Sequence, residues 1–354
     1  MAAFTASLRI AVLANSKHSV KARVGAGAPP DALAEYDAEE TVNGIQAALR
    51  ASGHVSFLLD ADETLLDTIR ETRPDLCFNI AEGLHGDSRE SHVPALLEML
   101  KVPYTGAKVL THALSLDKAM TKRVWRDSGL PTAPFQEFRH ETDPLDPALQ
   151  FPLFVKPARE GSGMGINAAS IVRDETALRA QVRWVLTTYH QPALAEGYLP
   201  GREFTVGLVG NRYLPGQAPR SDFYDGSGFH VFPPLELDTQ KGAVKGIYNA
   251  EAKSYALEDE NAPGYLCPAD ITPELNAELR QLTIAAFEAL GGLDVGRVDF
   301  RLDTEGRPQL VEINTLPGLN PLVSDMVIVS RAESVPYERL ICEICDLARE
   351  RYGL

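Results

Sequence analysis

Lys156-Pro-Ala-Arg-Glu-Gly-Ser-Gly-Met-Gly165 is the stretch around which the rest of the chain falls into place. It follows Phe151–Val155, an apolar run that predicts a short buried strand. Gly161, Gly163 and Gly165 put three glycines in five positions. Such a loop exposes successive backbone N–H groups as an anion-binding concavity, and the missing Cβ atoms allow close approach. Lys156 adds a point charge and Ser162 a hydroxyl at the tip, so the loop reads as a phosphate cradle. It lacks the Gly-Lys-Ser/Thr of a Walker A loop and does not open a helix as a dinucleotide fingerprint does. Taken alone, a plain tight turn between strands explains it equally well.

A second stretch weighs against the plain turn. Arg297-Val-Asp-Phe-Arg301 and Gln309-Leu-Val-Glu-Ile-Asn314, separated by a turn near Glu305-Gly306, predict an antiparallel hairpin. Glu312 and Asn314 are two apart and share a face, and Asp299 can lie opposite them. Two carboxylates and an amide oxygen on one face suit a hard cation such as Mg²⁺, which completes its shell with water and nucleotide phosphates. An exposed polar sheet face is the other explanation. It fits poorly, because Val298, Phe300, Leu310, Val311 and Ile313 otherwise mark both strands as buried, where unpartnered carboxylates are costly. Arg297, two before Asp299, falls on the same face.

KPAREGSGMG, GRVDFRLD, LVEINTLPG, PYTG at Pro103–Gly106 and SLDKAMTK at Ser115–Lys122 resemble, in order and spacing, the D-alanine–D-alanine ligase family of ATP-grasp enzymes. The similarity runs from about Pro74 to the C-terminus. It implies an α/β chain with the ATP-grasp fold in three parts. These are an N-terminal open parallel α/β domain (1–112), a small central α+β domain with the phosphate loop (113–195), and a C-terminal α+β domain with metal site and lid (196–354). It implies ATP as nucleotide, two Mg²⁺ ions with Mn²⁺ as an alternative, a homodimer, and a carboxylate–amine ligase that forms an amide bond through an acylphosphate.

Residue by residue, the resemblance assigns Lys118 and Lys156 to nucleotide phosphate, together with Gly161, Ser162 and Gly163. Glu196 would accept from the adenine amino group, the backbone near Leu199 would pair with the ring, and Glu203 would hold the ribose hydroxyls. Asp299, Glu312 and Asn314 are the metal ligands, and Arg297 stabilises the tetrahedral oxyanion. Ser162, Glu39, His85 and Lys253 complete the catalytic set. On its own a loop histidine such as His85 is more often an exposed bystander; the resemblance makes it, with Glu90 downstream, a substrate contact. The polar segment 238–266, containing Ala250-Glu-Ala-Lys253-Ser-Tyr255, is expected to be a lid, since water would hydrolyse an acylphosphate.

Composition agrees with this reading. The chain has 354 residues, enough for two or three packed units, and 44% of them are apolar. A formal net charge of −15 argues against general nucleic-acid or anionic-membrane binding, so phosphate must be held by a local cluster. No signal peptide or transmembrane run is apparent, and a cytoplasmic location is expected. The Cys342-x-x-Cys345 pair lies in a helical pattern without a second pair, which predicts helix packing.

In chain order, Leu8–Leu13, His54–Leu59 and Leu76–Ile80 predict parallel strands with a helix at Glu39–Ser52. Ser16–Asp37 is an unusually long loop. Helices are further expected at Thr111–Ser128, with Leu114, Met120, Val124 and Trp125 as anchors, and at Thr176–Tyr189, Pro273–Leu290 and Val335–Arg351. Ala168–Val172 should return beside Phe151–Val155, and Ala193–Glu203 leads into a further strand.

Departures from the family pattern concern amino-acid recognition alone. The glycine-rich turn after the first strand is replaced by Ala14-Asn-Ser-Lys-His18. Glu39 is the best match for the ammonium-binding glutamate. Ser254 stands at the lid tyrosine position with Tyr255 next to it, and Ser324 follows an altered turn after Gly318. Two alternatives remain open: a ligase joining other amino acids or an amino acid to a small carboxylate, and a non-catalytic ATP-binding module.

Overall fold

The computed structural model describes residues 7–15, 17, 20, 28–36, 38–239, 241 and 264–354. The chain opens with β1 (Arg9–Ala14), α1 (Glu39–Ala51), β2 (Val55–Asp60), α2 (Leu65–Thr72), β3 (Leu76–Asn79) and α3 (His92–Leu100). The three strands form a parallel sheet in the order β2-β1-β3. β1 reads as an unbroken apolar run because both its faces are covered. Ile10, Val12 and Ala14 face a core with Val42, Ile45 and Leu49 of α1, while Ala11 and Leu13 face another with Leu65, Ile69 and Leu97.

α4 (Val109–Leu116) and α5 (Lys118–Asp127) replace the single helix expected over 111–128. The break falls at Asp117, whose φ of −85° and ψ of 96° are extended and whose carboxylate accepts from the Met120 N–H at 2.9 Å. A short acidic side chain competes for backbone donors, so it caps a helix better than it continues one. Lys118 therefore starts α5, with its N–H on the Ala158 carbonyl at 3.0 Å. Trp125 is fully buried, but Met120 is 40% exposed.

The central sheet has the order β4-β7-β5-β6, all antiparallel, from Phe135–Phe138, Leu153–Pro157, Ile171–Val172 and Ala193–Gly197 as β4 to β7. The return expected over 168–172 is mostly a 3₁₀ turn, Ala168–Ser170, capped by Asn167, and only β6 pairs. α6 (Glu175–Thr188), capped by Asp174, covers this sheet.

The C-terminal sheet runs β11-β10-β8-β12-β13, with β9 on β8. Its strands are β8 (Glu203–Gly210), β9 (Phe229–Val231), β10 (Leu235–Asp238), β11 (Gly264–Leu266), β12 (Val295–Leu302) and β13 (Pro308–Asn314). α7 (Pro273–Ala289), α8 (Asp325–Ala332) and α9 (Tyr337–Tyr352) complete the chain. α9 sends Leu340, Ile341, Ile344 and Cys345 into the core under β1, and Cys342 Sγ lies 2.7 Å from Ser52 Oγ. The cysteine pair thus packs one helix against the first sheet, and its thiols are free.

The ends of the expected lid meet, since Asp238 pairs with Gly264 across β10–β11. Residues 240 and 242–263 between them, including Lys253, Ser254 and Tyr255, lie outside the described residues. Among the described residues no helix is long and apolar enough to cross a membrane.

Candidate active site

The metal hairpin owes its geometry to a bulge. Arg297 pairs with Asn314 and Asp299 with Glu312, but Phe300 then pairs with Leu310, leaving Val311 as an extra residue on β13. The extra residue resets the alternation of faces. Leu310 and Ile313 drop into the core beneath the sheet, while Val311, Glu312 and Asn314 face the site. An unbulged strand would have put Leu310 on the same face as Glu312.

Asp299 is held on three sides. Arg297 donates to both its oxygens at 3.0 Å, Asn314 Nδ2 donates at 3.3 Å, and the Thr205 hydroxyl donates to Oδ1. The second end of the Arg297 guanidinium lies 3.7 Å from Asp325. Burial opposes the Arg297 charge, but Asp299 and Asp325 outweigh that and hold the guanidinium above its ordinary range. Lys118 Nζ is 3.3 Å from Glu312 Oε2 and also donates to the Glu160 carbonyl. Among the described residues no group of three or more His, Cys, Asp and Glu clusters as a ligand set. The oxygen set here is two carboxylates opposite each other plus an amide, which suits a hard cation sharing its shell with phosphate and water.

The glycine loop presents donors to anionic oxygens. Gly161 N–H donates to Glu35, and Gly165 N–H donates to Asp31 at 2.9 Å. Gly165 has φ 70°, and a Cβ there would sit 2.3 Å from Pro157, so only glycine fits. Ser162, at φ 49°, holds the loop's tip in the left-handed region.

Two pockets meet at this loop. The first is lined by Phe154, Met164, Ile166 and Val311, by Leu199, Glu203 and Arg301, and by Lys118, Lys156, Asp299 and Glu312. The second is lined by Glu35, Glu82, Glu90, Ser162, Arg297, Glu312, Asn314, Ser324 and Asp325, and again by Lys118. Lys118 and Glu312 border both.

Glu196 sits deep in the first pocket between two buried lysines, 2.6 Å from Lys156 and 2.7 Å from Lys122. Burial alone would raise its carboxyl, but the two lysines outweigh that and bring it down to about 2. Lys122 was not singled out in the sequence, although it lies one turn beyond Lys118 on the same helix face. Its removal should leave a buried carboxylate half-compensated and cost about 3–5 kcal/mol. Because the Glu196 carboxyl is depressed in the folded chain, its contribution is complete above the ordinary carboxylate range and fades as pH falls toward 2. Urea midpoints should therefore show Lys122→Met well below wild type at pH 7, with the gap narrowing below about pH 4. Equal midpoints at pH 7 would contradict this.

The second pocket is strongly acidic. Burial raises the Glu90 carboxyl well above the ordinary carboxylate range, with Arg89 opposing and Glu35 adding. Glu160 is raised to about 7, first by burial, with Arg89 opposing. His112, 3.9 Å from Glu90, is pushed down to about 4 by burial and stays neutral, so that contact is no ion pair.

Two expected residues lie elsewhere. Glu39 is exposed on the first turn of α1, because the buried stripe of that helix begins at Thr41 and Val42. Glu35, with its side chain 7% exposed, stands against the glycine loop and Arg89 instead, 2.6 Å from the Arg89 guanidinium. His85 is exposed and borders a third cavity with Arg159 and Tyr189, which shares Glu35 with the second pocket but does not reach Glu312. Glu35, Glu82, Asp325 and Arg301 were not picked out in the sequence. Only Arg301 carried a signal, at the alternate position after Arg297 and Asp299.

A family model described as D-ala D-ala ligase C-terminus matches residues 124–346. The D-alanine–D-alanine ligase of Nitrosococcus oceani is 31% identical over 89% of this chain and 92% of its own length. The chain belongs to the D-alanine–D-alanine ligase family. An uncharacterised protein, y4sG, of Sinorhizobium fredii is 34% identical over 98% of both chains. The crystal structure of the Bacillus anthracis D-alanine–D-alanine ligase complexed with ATP superposes with a TM-score of 0.70 at 19% identity, covering 98% of this chain and 99% of that one. Another structure of the same ligase gives 0.73 at 23% identity. The fold is therefore the ATP-grasp fold of these ligases.

Proposed function

We propose that the chain is an ATP-dependent carboxylate–amine ligase of the D-alanine–D-alanine ligase type, joining two small amino acids through an acylphosphate. The observation that carries this is the shared border, since Lys118 and Glu312 line both pockets. A nucleotide in the first pocket and a carboxylate in the second would meet there, where charge on a transferring phosphoryl group needs neutralising. Phe154, Met164, Ile166 and Val311 form apolar walls for a base, with Glu196 and Leu199 at its edge and Glu203 toward the ribose.

The first substrate's carboxylate oxygen attacks the γ-phosphorus, and ADP leaves. Lys118, Lys156 and the loop around Ser162 and Gly163 offset the transferred charge. Mg²⁺, for which Asp299, Glu312 and Asn314 fit as ligands, supplies further neutralisation of phosphate oxygens when bound. The second substrate's neutral amine attacks the acyl carbon, Arg297 faces the resulting oxyanion, phosphate departs with its oxygen, and the nitrogen gives up its extra proton to water. A non-catalytic nucleotide binder would have little need of an oxyanion donor at Arg297, although the same arginine also holds Asp299.

The division at 1–112, 113–195 and 196–354, a homodimeric state and a cytoplasmic location belong to the same reading and rest on family resemblance. Lys253 belongs to it too, as a lid residue. Substrate choice is drawn from the second pocket, where Glu35 replaces Glu39 as the buried carboxylate and Asp325 confronts Arg297. We expect D-alanine to support ADP release, with relaxed selection of the acceptor. A co-substrate screen for ADP release, with mass spectrometry of the products, tests this. No release with any pair would overturn the ligase reading, and exclusive D-alanyl-D-alanine synthesis would overturn relaxed acceptor selection.

A further inference from the structure

We propose that Arg301 is a nucleotide-specificity residue that donates to the ribose of the bound nucleotide and steadies Glu203 beside it. The proposal rests on the first pocket being the nucleotide's. Arg297, Asp299 and Arg301 alternate along β12 and share one face. Arg297 borders the second pocket, whereas Asp299 and Arg301 border the first. At about 3.3 Å per residue Arg301 is roughly 13 Å from Arg297, too far along the strand to serve the transferring phosphoryl group. Its neighbours in the first pocket are Glu203 and Tyr198.

Arg301 stands directly across the β8–β12 ladder from Glu203. Its Nε is 3.6 Å from Glu203 Oε2, short of a hydrogen bond, and its guanidinium lies 5.9 Å from the centre of the Tyr198 ring. The side chain is 13% exposed, and among the described residues Nε is buried without a hydrogen-bond partner. Nε is thus turned toward Glu203, and a guanidinium bordering a ligand pocket, being a donor-only group, calls for an acceptor on the ligand. Glu203, an acceptor when ionised, would take the hydroxyl protons. Arg301 supplies the complementary donor to a ribose oxygen, and the pair together reads a vicinal diol.

Arg301→Met and Arg301→Lys, each checked by thermal melting, should be compared with wild type for ATP and 2′-deoxy-ATP. Calorimetric binding and steady-state ADP release both serve as readouts. Wild type should prefer ATP. Arg301→Met should weaken ATP binding and raise its KM by roughly tenfold or more, in line with losing a charge-assisted hydrogen bond, while kcat changes by less than about threefold. 2′-Deoxy-ATP should be affected less, so the preference shrinks. Arg301→Lys, which keeps charge without the fork, should restore part of it. It also carries the test if the methionine variant fails to fold. Unchanged ATP affinity, or equal weakening of both nucleotides, would overturn the proposal. Absence of ADP release from wild type with intact ATP binding would instead remove the ligase reading, leaving the Arg301 comparison readable by calorimetry.

Discussion

Glu312→Gln should lower turnover by about 10²–10³-fold, some 3–4 kcal/mol of transition-state stabilisation, with the fold intact. Glu312 stands opposite Asp299 in the hairpin, 3.3 Å from Lys118, and its side chain is 16% exposed at the border of the two pockets. Glutamine keeps the volume and one acceptor oxygen but removes the charge that would hold a cation against the transferring phosphoryl group. Lys118 would keep its bond to the Glu160 carbonyl, so the local packing has a reason to survive. Steady-state ADP release beside a thermal melt measures both halves of the prediction. A variant with near-normal turnover would remove Glu312 from the phosphoryl site.

Arg297→Ala should reduce ligation by at least about 10²-fold while changing ATP affinity by less than about tenfold, because the oxyanion forms only after phosphoryl transfer. The side chain is 10% exposed and pinned across both oxygens of Asp299. Its loss removes the cation bonded to the part-buried Asp299, so a stability cost of about 3–5 kcal/mol is expected as well. Arg297→Lys separates the two effects. It returns charge to the buried carboxylates and should recover stability, but it lacks the planar fork and should recover little ligation. Calorimetric ATP binding that fell as steeply as turnover would make Arg297 a phosphate-positioning residue and contradict this role.

The parts of this molecule that could be read from its sequence are those whose signal is local. The parallel strands, the hairpin with Asp299 and Glu312, and the glycine loop each announce themselves through apolar runs, alternation and turn residues. Asp117 shows where local reading fails, since an apolar period that spans two helices hides the cap between them. Met120 fits that period and yet is exposed, because α5 buries Lys118, Ala119, Thr121, Lys122 and Trp125 instead. The bulge at Val311 is invisible in composition but decides that Leu310 enters the core. Glu35 is the clearest case at the site. It lies in an irregular segment with no periodicity, and only tertiary contact with Arg89 and Gly161 marks it, whereas Glu39 carried a helix-start signal and faces outward. Lys122 and Arg301 repeat the spacing of residues already singled out, and that repetition was the available clue.

The central claim is that a carboxylate is activated by phosphorylation before the amine attacks. Its most direct measurement is oxygen transfer. The first amino acid that supports turnover is supplied with ¹⁸O in its carboxylate, and the inorganic phosphate released is examined by mass spectrometry. An acylphosphate route places one ¹⁸O in each phosphate formed, in step with amide product. Phosphate released without the label, at the same rate as ADP, would contradict it.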